Sequence, residues 1–302
     1  MTTRDAREPR LFRDHPDREV TLPWGTVVRV PFHAYAAETA VVGGTVKLEA
    51  LARSLVPEGL VPIRLRDAEG PHLGAAWLWW IDYQSSNHGA FTQMAVGFAA
   101  AHDTMDVPLR NAASPLAALA HPGGCAFLRT LFTSAPEVVR VGREVWGFPS
   151  ERAEVTWAHP PGRLHCEVRD AEGHEVVTLD VRDRGGALRR LVGGLRAGRA
   201  MGWEQAATML LSPSLPLTLV TPRAVKCSRT PLRLHGAPVL YRWKPTDILS
   251  LGTRSACGAA LADLGFSPTV VVRHPALRFV ILPDPDSMRR VPTDRIRYED
   301  DL

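Results

Sequence analysis

The stretch RLHCEVRDAEGHEVVTLDV, Arg163 to Val181, alternates apolar and polar residues on both sides of a short glycine-containing turn. A period of two with Gly in the turn is the pattern of a β-hairpin. Arg163–Val168 and Glu175–Val181 are therefore expected to pair around DAEG. Similar short runs recur along the chain. Thr26–Val30 (TVVRV) is β-branched, Val61–Leu65 precedes a turn at DAEGP, and Leu73–Ile81 (LGAAWLWWI) is apolar and aromatic. Ala90–Ala99 (AFTQMAVGFA) is apolar at nearly every position, as a strand covered on both faces would be. Leu217–Val220, Ala224–Ser228, Leu232–Leu234 and Pro268–Val272 read as further strands. Lys47–Leu55 (KLEALARSL) has helical apolar spacing, and Ala187–Leu210 is the longest helical stretch. Strands broken by turns every ten or so residues predict a mainly β, α+β protein. Its core is expected to be a closed or cone-like antiparallel sheet or barrel with a few helices. No internal repeat or linker divides it. A flexible arm (1–20), one domain (21–285) and a tail (286–302) are expected.

The composition is that of an ordinary globular chain, 45% hydrophobic and 23% charged over 302 residues. The net charge of +4 comes almost wholly from arginine; the three lysines are Lys47, Lys226 and Lys244. Acidic residues interleave with the arginines, which argues against a nucleic-acid track. Arg-for-Lys and Ala-rich usage reflects a GC-rich coding bias. Cys125, Cys166, Cys227 and Cys257 have no CxxC spacing and no His at ligand distance, so they read as free thiols of a reducing cytoplasm. No metal site is expected. The first residues lack an apolar signal core, and no run approaches ~18 apolar residues, so no membrane span is expected. Nucleotide, zinc-protease and nucleophile-elbow motifs are absent.

Three segments occur in a telling order: LVPEGL (Leu55–Leu60) after an amphipathic helix, FTQMAV (Phe91–Val96) on an apolar strand, and EVVRVGREVWGFP (Glu137–Pro149). This order resembles the acetoacetate decarboxylase family, with its VPEPL-like segment, its Y-x-E strand and its GRE-x-x-x-YP-K-K segment. Gly142, Arg143, Glu144, Phe148 and Pro149 match in spacing. The resemblance covers roughly residues 20–275 and implies the family's cone-like β fold and a homo-oligomer.

In that family a lysine amine forms a Schiff base with a β-keto acid, and a cationic neighbour keeps the amine neutral. Carried onto this chain, the nucleophilic lysine falls at Ser150 and its neighbour at Glu151. The family's pocket glutamate falls at Gln93, and its substrate-binding arginine has only Glu38 at the nearest ungapped position. A serine cannot form an imine, so the usual mechanism is lost. Gly142, Arg143, Glu144 and Pro149 are expected to keep structural work: a close backbone approach, an internal ion pair and a strand-ending bend. Lys226, in AVKCS, is the candidate for a relocated Schiff-base amine.

The residues around the altered positions suggest a wide apolar pocket. Trp77, Trp79, Phe91, Met94, Phe98, Trp146 and Phe148 are candidate walls, although strand alternation will turn about half of such residues into plain core. Gln93, Ser150, Glu151, Asp82, Tyr83 and His88 are candidate polar groups. Two function classes follow. One is a cofactor-independent enzyme of specialised metabolism that folds a largely apolar β-keto, polyketide or polyene-like substrate and cyclises it. Gln93 and Ser150 would bond a carbonyl, with Glu151 or Asp82 as base; a decarboxylating or dehydrating lyase is the variant. The other is a small-molecule-binding pseudoenzyme. The position of Glu151 discriminates: inside the pocket it favours catalysis, and outside, with Gln93 and Ser150 inside, it favours shape-driven cyclisation or binding.

Overall fold

The computed structural model describes residues 10–22, 25–65, 72–102, 111–112, 114–119, 121, 123–183, 215–221, 228–235 and 239–283. Two strands, β1 (Arg18–Thr21) and β2 (Val27–Val30), make a small hairpin. The main sheet begins with β3 (Phe32–Lys47), β4 (Leu60–Pro62), β5 (Arg64–Leu65), β6 (Leu73–Ser86) and β7 (Phe91–His102). It continues with β8 (Asn111–Ala112), β9 (Gly124–Thr133) and β10 (Ser150–Arg152). A separate sheet holds β11 (Glu154–Ala158), β12 (Arg163–Arg169), β13 (Glu175–Arg182) and β17 (Ile248–Leu251), so the hairpin read from Arg163–Val181 is present as β12–β13. The main sheet is completed by β14 (Leu215–Thr221), β15 (Ser228–His235), β16 (Val239–Arg242) and β18 (Ser267–Ile281). The helices are α1 (Arg10–Arg13), α2 (Leu48–Leu55), α3 (Pro115–Leu119), α4 (Pro136–Val141) and α5 (Ala256–Asp263). None of the described helices is long and apolar enough to cross a membrane.

The main sheet follows the order β7-β9-β14-β15-β18-β3-β6, and β6 pairs again with β7. The strand pairings thus form a ring, antiparallel except between β9 and β14. Alternation gives the ring strands β3, β6, β7, β9 and β18 two apolar faces. Trp80, Met94, Val96 and Phe127 face outward, where α2, α5 and the small sheet cover them in the largest core cluster. Ile81, Phe91, Ala95, Leu131 and Phe279 face the other way. That second face is concave, because α3, only five residues long, touches β3, β5, β6, β7 and β9 together. Ala117 and Ala118 of α3 plug one end of it against Ile63, Ala75 and Ala99. Gly43 makes room on the same face: a Cβ there would lie 2.5 Å from the Trp77 ring.

The arm expected over residues 1–20 is not loose from Arg10 onward. Phe12 is buried with its ring 5.1 Å from those of His33 and Tyr35, and Val20 is buried in the inner-face cluster. Two apolar anchors in a polar stretch are enough to hold it down. Residues 1–9, the helical stretch Ala187–Leu210, the strand Ala224–Ser228 up to its last residue, Lys226 and the tail 286–302 lie outside the described residues.

Candidate active site

The site is built by strand register. Residues directly opposite one another in an antiparallel pair share a face, with Cβ atoms ~4.5–5.5 Å apart. His274 of β18 stands opposite Thr39 of β3, Thr39 opposite Ile81 of β6, Ile81 opposite Gln93 of β7, and Gln93 opposite Thr133 of β9. The next row on the same face reads Val272, Val41, Trp79, Ala95, Leu131 and, from the parallel strand β10, Ser150. Two adjacent rows thus gather Thr39, Gln93, Thr133, Ser150, His274 and Trp79 on the concave face.

These polar groups are buried and mostly unpartnered. The hydroxyls of Thr39, Thr133, Ser150 and Thr221, the indole N–H groups of Trp77, Trp79 and Trp146, and His274 Nδ1 have no hydrogen-bond partner in the protein. Buried polar atoms are normally paired, and an orphan costs about 1–3 kcal/mol. So many on one concave face mark a surface made to meet something other than protein. Gln93 is the oriented member. The Tyr83 hydroxyl donates to its Oε1 at 2.7 Å, which leaves the amide NH2 as the group presented to the face. Burial pushes the Tyr83 phenol well above its usual range, so it stays a donor. Burial holds His274 down to about 4, so its ring is neutral at ordinary pH.

The signature segment explains Ser150. Helix α4 starts with Pro136 and runs into a π-helical turn, Gly142–Trp146, that ends at Gly147 in the left-handed region. The chain then doubles back, with Phe148 N–H donating to the Gly142 carbonyl at 3.0 Å. A Cβ on Gly142 would lie 2.7 Å from Ser150 Oγ, so a larger residue there would force the Ser150 hydroxyl to move. The Arg143 guanidinium donates to the Ser150 carbonyl at 2.7 Å. It clamps the strand that carries Ser150 rather than pairing with Glu144, which is exposed; that expected ion pair is replaced by a main-chain clamp. Pro149 ends the bend, and its carbonyl accepts from Leu131 N–H.

The aromatic walls divide. Tyr83 and Phe91 stack at 4.2 Å, Trp146 and Phe148 at 6.1 Å, and Phe32 and Phe279 complete this group on the concave side. His88 stacks on Phe32 at 5.6 Å and its Nε2 bonds the Arg29 carbonyl; burial lowers its pKa. Trp77 is on the concave face too, but is packed against Val41 and Val272 beside Gly43. Five expected site residues are elsewhere. Met94 and Phe98 point into the outer core because even positions of β7 face away from Gln93. Glu38 is also on the outer face, where it pairs with Arg273 and with His159 Nε2 at 3.0 Å. Asp82 is opposite Glu38 in register, and burial, followed by the Glu38 charge, raises its pKa. Glu151 is exposed and lines an open outer groove of about 790 Å³ with Arg129, Cys257 and Leu261. Thr39, Thr133, Thr221 and His274 were not expected; they lie in strands whose sequences are apolar on both faces and carry no clear alternation.

The sequence profile of the acetoacetate decarboxylase (ADC) family matches residues 22–197, more than half of the chain. The chain belongs to the acetoacetate decarboxylase family. No curated protein matches it. Among solved structures, the acetoacetate decarboxylase of Legionella pneumophila subsp. pneumophila str. Philadelphia 1 aligns with a TM-score of 0.55 at 13% identity, covering 84% of this chain and 85% of that one. A second acetoacetate decarboxylase structure aligns at 0.52 and 15% identity, covering 84% and 87%. At such identities these likenesses establish the family's fold.

Proposed function

We propose that this family member is a cofactor-independent enzyme that folds a largely apolar, carbonyl-bearing substrate of β-keto or polyketide type on the concave face and promotes its cyclisation without a Schiff base. One observation carries the reading: Gln93, Thr133, Thr39 and Ser150 form an uncharged, buried patch with free hydrogen-bonding capacity amid aromatic walls. Neutral donors in a dry site stabilise charge that develops on a carbonyl oxygen, and that is worth most where water is excluded. The Gln93 amide, aimed by Tyr83, and the Ser150 hydroxyl are the donors we assign to that oxygen. Glu151, Asp82 and Glu38 are turned to the other side of the sheet, so shape and hydrogen bonding take the place of carboxylate chemistry. Holding two reacting carbons together can supply about 7–11 kcal/mol of the barrier.

Family membership favours a second reading, decarboxylation of a β-keto acid through an amine. Ser150 cannot provide it, and Lys226 is the remaining candidate. A medium-chain β,δ-diketo acid incubated with the protein separates the readings by product mass. Cyclisation gives a product of unchanged mass, or of that mass less one water, and no adduct after borohydride. Loss of CO2 with a borohydride-stable adduct on Lys226 favours the amine mechanism. Binding without turnover of this probe counts for a small-molecule carrier.

A further inference from the structure

Resting on that reading, we infer that His274 is the proton-transfer residue of the concave face, placed to take the proton from a carbon beside a substrate carbonyl. Register puts it one strand from Thr39 and in the same row as Gln93 and Thr133. Its Nδ1 is buried without a partner, although a β-strand in a sheet usually offers an imidazole some neighbour. The ring as a whole is only partly buried, at the irregular stretch of β18 where pairing shifts between His274 and Leu277. A buried, unpartnered nitrogen in a residue that is not wholly covered suits a group that must take up and give back a proton. The carboxylates named as candidate bases are on the other face, leaving His274 as the titratable group in the row.

The step balances. The carbon–hydrogen bond breaks, and its proton goes to the imidazole. The electron pair moves into the adjacent carbonyl, whose oxygen is held by the Gln93 amide. The resulting enolate carbon attacks a second carbonyl of the same substrate, forming one carbon–carbon bond and breaking that carbonyl's π bond. The new alkoxide takes the proton back from the imidazolium. Burial keeps the ring neutral, so its free nitrogen is available to accept the proton at the start of the step.

The test uses 2-decanone, whose α-protons exchange slowly alone, in D2O with the full-length protein. Proton NMR reads the exchange, and tryptophan fluorescence reads binding. The wild type should bind and exchange; His274→Gln should bind equally and lose about 10²–10⁴-fold of the exchange rate. His159→Gln, on the outer face, should leave exchange unchanged. Wild-type exchange in His274→Gln overturns the inference. So does wild-type binding without exchange above buffer, and that result leaves the proposed carbonyl-binding face standing. No binding at all overturns both. If His274→Gln does not fold, His274→Asn and the ring ¹⁵N shifts of the wild type replace it. An unmoved Nδ1 resonance on addition of the ketone also contradicts the assignment.

Discussion

Gln93 and Met94 are neighbours in the chain and belong to different worlds. On the outer face of the ring, Trp80, Met94 and Phe127 are completely covered, at 0% exposure. On the inner face, Ala95, Ala126 and Leu219 keep 8–9%, while the polar residues Thr39, Thr133 and Ser150 are covered at 0–1%. The polar groups differ in the same sense. Glu38 on the outer face has its charge answered by Arg273 and His159, whereas the inner hydroxyls and indoles are uncharged and unanswered. The outer face pairs its carboxylates, although the Trp80 indole there is also unpartnered, and the inner face gathers most of the unspent hydrogen bonds. The difference teaches where stability resides and where function does.

Mutations across that divide should therefore separate stability from activity. The largest effect is expected for Trp80→Ala, which should lose about 3–5 kcal/mol by urea unfolding, as buried aromatic truncations do. Trp79→Ala, one residue along and facing inward, should lose clearly less; equal losses would erase the distinction between the faces. Gln93→Ala should come next. It should lower turnover by about 10²–10³, or 2.7–4 kcal/mol in barrier, with little change in urea midpoint. Near-normal rates in both Gln93→Ala and Ser150→Ala, with a collapse in Trp146→Ala, would mean that the face works by shape alone.

Acid gives a smaller, signed effect. An unfolded histidine takes up its proton near 6.5, whereas folded His274 does so only near 4. Its burial therefore costs nothing at pH 7, and it drains stability as the pH falls from about 6.5 toward 4. At pH 5 the loss is about 2 kcal/mol, and His274→Gln should flatten that limb of the stability curve. The smallest effect is expected for Thr133→Val. Removing an orphan hydroxyl should be neutral or stabilising within about 1 kcal/mol in the free protein, yet weaken ligand binding.

Much of this architecture is legible in the amino acids because alternation speaks clearly where strands are short. The hairpin at Arg163–Val181 and the helix at Leu48–Leu55 stand as expected. The long strands β3 and β9 did not declare themselves. Their sequences, FHAYAAETAVVGGTVK and GCAFLRTLFT, are rich in Ala and Gly and are apolar on both faces, which blurs a period of two. With β3 and β9 hidden, Thr39 and Thr133 could not be placed, nor could His274, whose strand is broken by Pro275. Gln93 and Ser150 came from family spacing, and register brings them to adjacent rows. Met94, Glu38 and Asp82 failed to join them for a simple reason. Spacing says which residues are near, and only the strand's parity says which face they share.

The most direct test of a neutral carbonyl-binding face is the infrared spectrum of bound 2-decanone labelled with ¹³C at its carbonyl. Hydrogen bonds from the Gln93 amide and Ser150 should shift the labelled C=O band to lower frequency than in hexane, and Gln93→Leu should shift it back. A band that stays at its hexane position in the wild type, or that vanishes in favour of a labelled C=N band, would contradict the account.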